Sequence, residues 1–269
     1  MRTFSSHHED TSAEDDKGLV ADRDYVMALE KGLAVIEAFG HLRAAATLSQ
    51  LAELTGHSKA SVRRSLHTLC HLGYARQDGR HFQLAARALR LGSAFVDSDA
   101  LTRLAQPILE TTAERTKESA SVAVLDNQDA VFVARATHRR SLSSGLGVGA
   151  RLPAYASATG RVLLGGQPRE WVRFMLNRMS RPALTVKTLT STREVMLQID
   201  LAHRQGYALC DQEIEMGLRS IAVPILSRDG KIIAAMSLSV EINRMDMNKM
   251  LEKLLPELER AKQKFPALL

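Results

Sequence analysis

The sequence predicts an α+β protein in two unlike parts, on three observations. Residues 25–84 hold three helical stretches and then a basic hairpin. Residues 99–269 mix strand-like and helix-like stretches without regular alternation, which favours an antiparallel sheet over a doubly wound one. Residues 85–98 read as a linker helix, and residues 1–24 as a disordered acidic tail.

The chain has 269 residues and a formal net charge of +6, with 45% apolar and 25% charged residues. Such a composition can bury a core in one large domain or two ordinary ones. No apolar run approaches the roughly 18 residues of a membrane span. The polar start "MRTFSSHHEDTSAEDDKGLVADRD" lacks the apolar segment of a signal peptide, so a cytoplasmic protein is expected. Cys70 and Cys210 make neither a disulfide framework nor a zinc set; no metal and no cofactor are expected.

In "YVMALEKGLAVIEAFG", Leu29, Leu33, Ile36 and Phe39 fall near helical spacing, and Gly40 is expected to stop the helix. In "TLSQLAELTG", Thr47 can cap a short helix bearing Leu48, Leu51, Ala52 and Leu54, which Gly56 ends. "HSKASVRRSLHTLCHLG" predicts a third helix, capped by Ser58 and ended by Gly73. Two short helices around a Gly-containing turn make a helix-turn-helix.

On the wheel of the third helix, Val62, Leu66, Leu69 and Cys70 share one face. Ala60, Ser61, Arg64, His67, Thr68 and His71 fall on or near the other, with Lys59 and Arg63 on the flank. No acidic residue occurs from Leu54 to Gln77. A helix entering a major groove needs small residues for close approach, an arginine for base edges and cations for phosphates. "YARQDGRHFQL" reads as strand, Asp-Gly turn, strand, with Arg76 and Arg80 at or near its tip. A basic hairpin after a helix-turn-helix makes a winged helix. The expected contacts to double-stranded DNA are Ser58, Lys59, Ser61, Arg63, Arg64, His67, Thr68, Arg76 and Arg80.

In the bridge, Leu89, Leu91, Phe95 and Val96 make one apolar stripe, and Leu101, Leu104, Ile108 and Leu109 a second. Asp99 can cap the second helix, which Pro107 is expected to kink or interrupt. The first stripe suits either an interdomain linker or subunit pairing.

Beyond it, "ESASVAVLD" and "AVFVARAT" predict two strands around "NQD". "SLSSGLGVGARLPAY" predicts a further strand and a Gly-rich loop, and "SATGRVLLGG" a short helix capped by Ser157. "PREWVRFMLNRM" and "STREVMLQIDLAHRQG" read as helices; "YALCDQEI", "RSIAVPILSRDG" and "KIIAAMSLSV" read as strands. "MNKMLEKLLPELERAKQKF" reads as one closing helix.

Residues 130–169 form a second acid-free run, holding Arg135, Arg139, Arg140, Arg151, Arg161 and Arg169. It includes the helix start at "YASATG", whose unspent N–H groups and dipole favour an anion. Arginines beside a helix N-terminus suit a carboxylate ligand, with Arg135 and Arg161 the nearest candidate cations. "GLGVG" lacks the strand–loop–helix frame of a nucleotide loop and reads as a turn. His203, Cys210 and Asp211 lack any motif for nucleophilic catalysis, and Cys210 lies in an apolar strand pattern.

From about Arg23 onward the chain resembles the IclR family of bacterial transcription regulators. The resemblance is carried by "RDYVMALEKGLAVIEAF", the helix-turn-helix, "LGVGARLPAYASATGRVLL" and "GYALCDQEIEMGLRSIAVPI". "RDYV", "LGVGARLPAY" and "DQEIEMGLRSIAVP" look most like the PcaR/PobR-type subgroup, which governs catabolism of aromatic acids through the β-ketoadipate route. The resemblance implies a winged helix, a linker helix and a GAF-like effector domain, assembled as dimers that often pair into tetramers. It also implies an effector pocket at Ala158, Thr159, Cys210, Ser220, Ser237 and Ser239. Ala-Thr stands where some relatives have Gly-Ala, and Cys210 where some have Asp; both fit a less polar ligand than a small keto acid.

The function expected is ligand-controlled regulation of transcription, with a two-fold protein on an inverted-repeat operator and a small carboxylate effector. An enzyme carrying a nucleic-acid-binding module is the alternative, and a constitutive architectural DNA binder a second; the first needs a nucleophile–base pair or metal set, and the second has no use for a large second domain.

Overall fold

A computed structural model describes residues 25–42, 44–138 and 146–265. The chain divides into two compact units between Gly92 and Ser93. The proposed acidic tail, Arg139 and Arg140 lie outside the described residues.

In the first unit, α1 (Met27–Ala38) is followed by β1 (Ala46–Thr47), α2 (Leu48–Thr55), α3 (Lys59–His71), β2 (Ala75–Asp78) and β3 (His81–Leu84). The three strands form an antiparallel sheet in the order β1-β3-β2. Thr47 and Gln50 close a capping box at the start of α2, and Gly56 ends it in the left-handed region at φ +66°. Ser58 caps α3 by accepting from the Ser61 N–H. The loop of the wing is Gly79, at φ +55°, and Arg80, so glycine occupies the first central position.

The core of this unit gathers Val35, Ala38 and Phe39 with Leu51, Val62, Leu66 and Leu69. The apolar stripe expected on α1 is therefore rotated: Leu29 and Leu33 are exposed, and Val35 and Ala38 are buried instead. Nor does Gly40 end α1 as a left-handed cap. The helix stops at Ala38, and Gly40 lies within a 3-10 turn, Phe39–His41.

A 3-10 turn at Ala86–Ala88 leads into α4 (Leu89–Ser98), whose Leu89, Leu91 and Phe95 are exposed. Asp99 caps α5 (Ala100–Thr116) by accepting from Thr102. Pro107 sits inside α5 without breaking it; the Pro ring costs one backbone bond, and the burial of Leu101, Ala105, Ile108 and Leu109 outweighs that loss.

The second unit continues with β4 (Ser119–Asp126), β5 (Asp129–Ala136), β6 (Arg151–Pro153), α6 (Ala158–Gly165), α7 (Arg169–Arg178) and α8 (Thr192–Gln205). It closes with β7 (Ala208–Asp211), β8 (Leu218–Leu226), β9 (Ile232–Glu241), α9 (Met247–Lys253) and α10 (Leu255–Lys262). The single closing helix of the sequence reading is two helices. Pro256, in the first turn of α10, has no N–H to continue the α9 ladder.

One antiparallel sheet runs β6-β5-β4-β9-β8-β7. Its first face carries Val122, Ile221, Val223, Met236 and Leu238 against Leu109, Leu258 and other residues of α5, α9 and α10. Its second face packs Ala123, Phe132, Ala222 and Ala235 against Ala158, Val162 and Leu163 of α6. Among the described residues no helix is long and apolar enough to cross a membrane.

Candidate functional site

The first site is the outer face of α3 and the wing. Lys59, Arg63, Arg64, His67 and Thr68 are exposed on α3, and Arg76 and Arg80 on the wing. Ser58 is exposed too, but its hydroxyl is committed to the cap. None of the five cations forms an ion pair with a described residue. A helix with a dry inner face and an unneutralised basic outer face can meet a phosphate backbone and reach into a groove.

Ser61 departs from the expected arrangement. It is 8% exposed and lines a groove of about 620 Å³ with Leu29 and Leu33 of α1; the exposed Arg64 and Thr68, one and two turns on, border the same groove. Its helical position lies toward α1, so the small side chain permits helix approach rather than groove approach.

The second site is the α6 face of the large sheet. Cys210, Ser220, Ser239 and Ser119 stand opposite one another across β7, β8, β9 and β4. The next row on that face is Ala208, Ala222, Ser237, Ser121 and Arg135. Period-two alternation puts both rows on the side covered by α6. Register thus brings Arg135, Cys210, Ser220, Ser237 and Ser239 onto one surface.

Ser119, Ser121, Ser237 and Thr159 are buried, yet among the described residues no protein group hydrogen-bonds their hydroxyls. Ser119 and Ser121 were missed in the sequence, although the alternation Ser119–Ala120–Ser121 could have placed them beside Ser237 and Ser239. Burial lowers the Arg135 pKa from its ordinary value, and its guanidinium lies 5.5 Å from the centre of the Phe132 ring.

Ser157 caps α6 by accepting from the Gly160 N–H. The N–H groups of Ala158 and Thr159, the first two residues of the helix, have no intrahelical partner and suit an anion. A Cβ on Gly160 would fall 2.2 Å from the Ala154 Cα, so this position needs glycine for the preceding turn to pack against the helix.

Arg161 does not fit the role of a ligand cation. It is 2% exposed, and its Nη1 and Nη2 bind Glu213 Oε1 and Oε2 at 2.6 and 2.7 Å. Its charge is spent on a carboxylate far along the chain. Glu213 was not anticipated, because nothing local marks a pairing across 52 positions.

Arg161 and Glu213 also line a cavity of about 470 Å³ with Leu189, Gln198, Leu201 and Leu209. That cavity runs along β7 and α8; of the expected effector residues it touches Arg161 alone.

Cys210 is no nucleophile. Burial pushes its thiol up to about 12, and Sγ donates to the Ala156 carbonyl at 3.0 Å. Asp211 is held by Lys187 and Arg219 rather than by His203. Leu146 to Gly149 form loop and turn and feed into β6, so the glycine-rich run has no helix behind it; Gly145 lies outside the described residues.

Comparison with known proteins fits this geometry. Residues 28–79 match the IclR helix-turn-helix domain, and residues 93–266 the bacterial transcriptional regulator IclR C-terminal domain. The chain belongs to the IclR family of bacterial transcription regulators. It is 38% identical to the Pca regulon regulatory protein of Pseudomonas putida, over 89% of this chain and 83% of that protein. It is 34% identical to the p-hydroxybenzoate hydroxylase transcriptional activator of Acinetobacter baylyi, over 94% of this chain and 95% of the relative. A solved IclR homologue from Microbacterium hydrocarbonoxydans, complexed with 4-hydroxybenzoate, superposes with a TM-score of 0.74 at 25% identity, covering 88% of this chain and 96% of that one.

Proposed function

We propose that this regulator answers to a small aromatic carboxylate bound on the α6 face of its C-terminal sheet. The observation that carries the reading is one face on which the buried residues Ser119, Ser121, Ser237 and Thr159 bring together hydroxyls that no described protein group hydrogen-bonds. A hydroxyl both donates and accepts, so a ligand on this face has four such groups to bond. Ala123, Ala158, Ala222 and Cys210 leave an apolar wall of small side chains around them, suited to a ring. The N–H groups of Ala158 and Thr159, with Arg135 across the sheet, suit the carboxylate. The IclR homologue complexed with 4-hydroxybenzoate supports the same ligand class, and the transcriptional activator of p-hydroxybenzoate hydroxylase among the relatives fits it.

On DNA, Arg64 is the candidate for base edges, and Lys59, Arg63, Arg76 and Arg80 for phosphates, with His67 and Thr68 beside them. A single winged helix makes few base contacts, which favours two copies on an inverted repeat. The exposed stripe Leu89, Leu91 and Phe95 on α4 supports a pairing role. The ligand changes DNA affinity by binding one state better than the other.

Melting the full chain against a panel of hydroxybenzoates, benzoate and aliphatic keto acids tests the effector. A competent ligand at about 100 times its Kd stabilises by about 2.7 kcal/mol. Stabilisation by the keto acids alone would overturn the aromatic reading.

A further inference from the structure

We propose that Arg161 and Glu213 are a positioning pair, which holds the turn before α6 so that its first N–H groups face the effector, without touching the effector themselves. The inference rests on the reading of the α6 face as the effector site.

The Arg161 fork is nearly saturated by protein. Nη1 and Nη2 hold the Glu213 carboxylate, Nε donates to the Tyr155 carbonyl at 3.2 Å, and Nη1 also reaches the Leu209 carbonyl at 3.4 Å. Tyr155 and Leu209 flank the site: one lies two residues before the Ser157 cap, and the other precedes Cys210 in β7. One side chain therefore ties the approach to α6 to the edge of the sheet. The Cys210 thiol bonds the Ala156 carbonyl, and Ala154 packs on Gly160, so the turn Ala154–Ala156 is gripped on several sides. Tyr155 adds a bond from its hydroxyl to the Pro182 carbonyl at 2.6 Å.

Glu213 extends the grip. Its Oε2 accepts from the Leu189 N–H at 3.1 Å, and its carbonyl from the Thr188 hydroxyl at 2.6 Å. The turn before α6, β7 and residues 188–189 thus meet at one buried ion pair. A bidentate fork fixes direction as well as distance, which a helix start presenting two N–H groups to a ligand requires.

The double variant Arg161→Met/Glu213→Leu tests this in the full chain. It exchanges a buried ion pair for apolar side chains and leaves no unpaired charge, a change that often preserves stability. Amide hydrogen exchange in the ligand-free protein should quicken about tenfold or more at residues 154–161, with β8 and β9 exchanging as in the wild type. Affinity for 4-hydroxybenzoate should fall roughly ten- to a hundredfold, as for groups displaced by about 1 Å. Arg161→Lys, which keeps the charge and loses the fork, should show the same local pattern at smaller size, and carries the test if the double variant does not fold. Unchanged exchange at residues 154–161 would overturn the proposal, and so would 4-hydroxybenzoate affinity within about twofold of wild type. If no aromatic acid of the panel binds the wild type, the effector reading falls while the exchange pattern still decides the positioning role; if one other than 4-hydroxybenzoate binds, the affinity comparison is made with that acid.

Discussion

Lys59, Arg63 and Arg64 on α3 are exposed and meet no carboxylate among the described residues, whereas Arg151, Arg161 and Arg169 of the C-terminal unit each meet one. Arg151 reaches Asp126 and Asp129, Arg161 reaches Glu213, and Arg169 reaches Asp200. Both groups sit in stretches of sequence without an acid. The difference is where the fold brings acids from. Among the described residues of the first unit no distant carboxylate returns to α3, which leaves its cations for an external polyanion. In the second, β4, β5, the segment after β7 and α8 return carboxylates to Arg151, Arg161 and Arg169. A basic run signals an anion partner only when the fold leaves it unneutralised.

The sharpest way to break the comparison is to remove one arginine of each kind. Arg161→Ala strands a buried Glu213 and should cost about 3–5 kcal/mol in urea unfolding. Arg151→Ala, at an exposed pair, should cost no more than about 1 kcal/mol. Equal losses would erase the distinction between gripping and solvated arginines.

Arg64→Ala should leave stability within about 0.5 kcal/mol yet weaken the specific DNA site by about 1–3 kcal/mol. Lys59→Ala should weaken all DNA alike and lower the salt slope by about 1. A gel-shift salt series separates the two; identical sequence profiles for both variants would count against Arg64 as a base reader.

Asp211 sharpens the contrast with pH. Burial raises its pKa, but hydrogen bonds from Lys187 and Arg219 outweigh that and hold it at about 2. A depressed carboxylate stabilises the fold above its unfolded value, and that contribution is lost as pH falls toward about 2. Acid unfolding of Asp211→Asn should be shallower than wild type between the ordinary carboxylate range and that limit; superimposable curves would deny the pairing.

The smallest effect expected is at Cys210. With its thiol near 12, iodoacetamide at neutral pH should leave it unmodified in the native protein and label it only after unfolding. Rapid native labelling would reopen a nucleophilic role.

What the sequence disclosed follows the range of the interactions. Thr47, Ser58, Asp99 and Ser157 were legible as caps because a cap is chemistry between residues three apart. Alternation disclosed the strands of the large sheet, and the IclR resemblance pointed to Ser237 and Ser239 on one of its faces. The rotation of α1 was hidden, since which apolar residues go inward depends on α2 and α3. Ser61 was misplaced for the same reason: a position near the edge of the apolar arc goes inward or outward according to the neighbouring helix. The Arg161–Glu213 pair was beyond reach, because only the return of the chain through β7 joins them. Of the candidate site, local sequence gave the helix start, and the tertiary fold decided which charges remain for a ligand.

The most direct test of regulation through the α6 face is DNA affinity under ligand. The full chain, bound to a duplex it selects from random sequence, is titrated with 4-hydroxybenzoate while fluorescence anisotropy follows the DNA. The prediction is a ligand-dependent change in DNA affinity for the wild type, lost in Thr159→Leu and Ser239→Leu, both of which keep wild-type DNA binding without ligand. An undiminished response in the two variants, or DNA affinity that no aromatic acid alters, would contradict it.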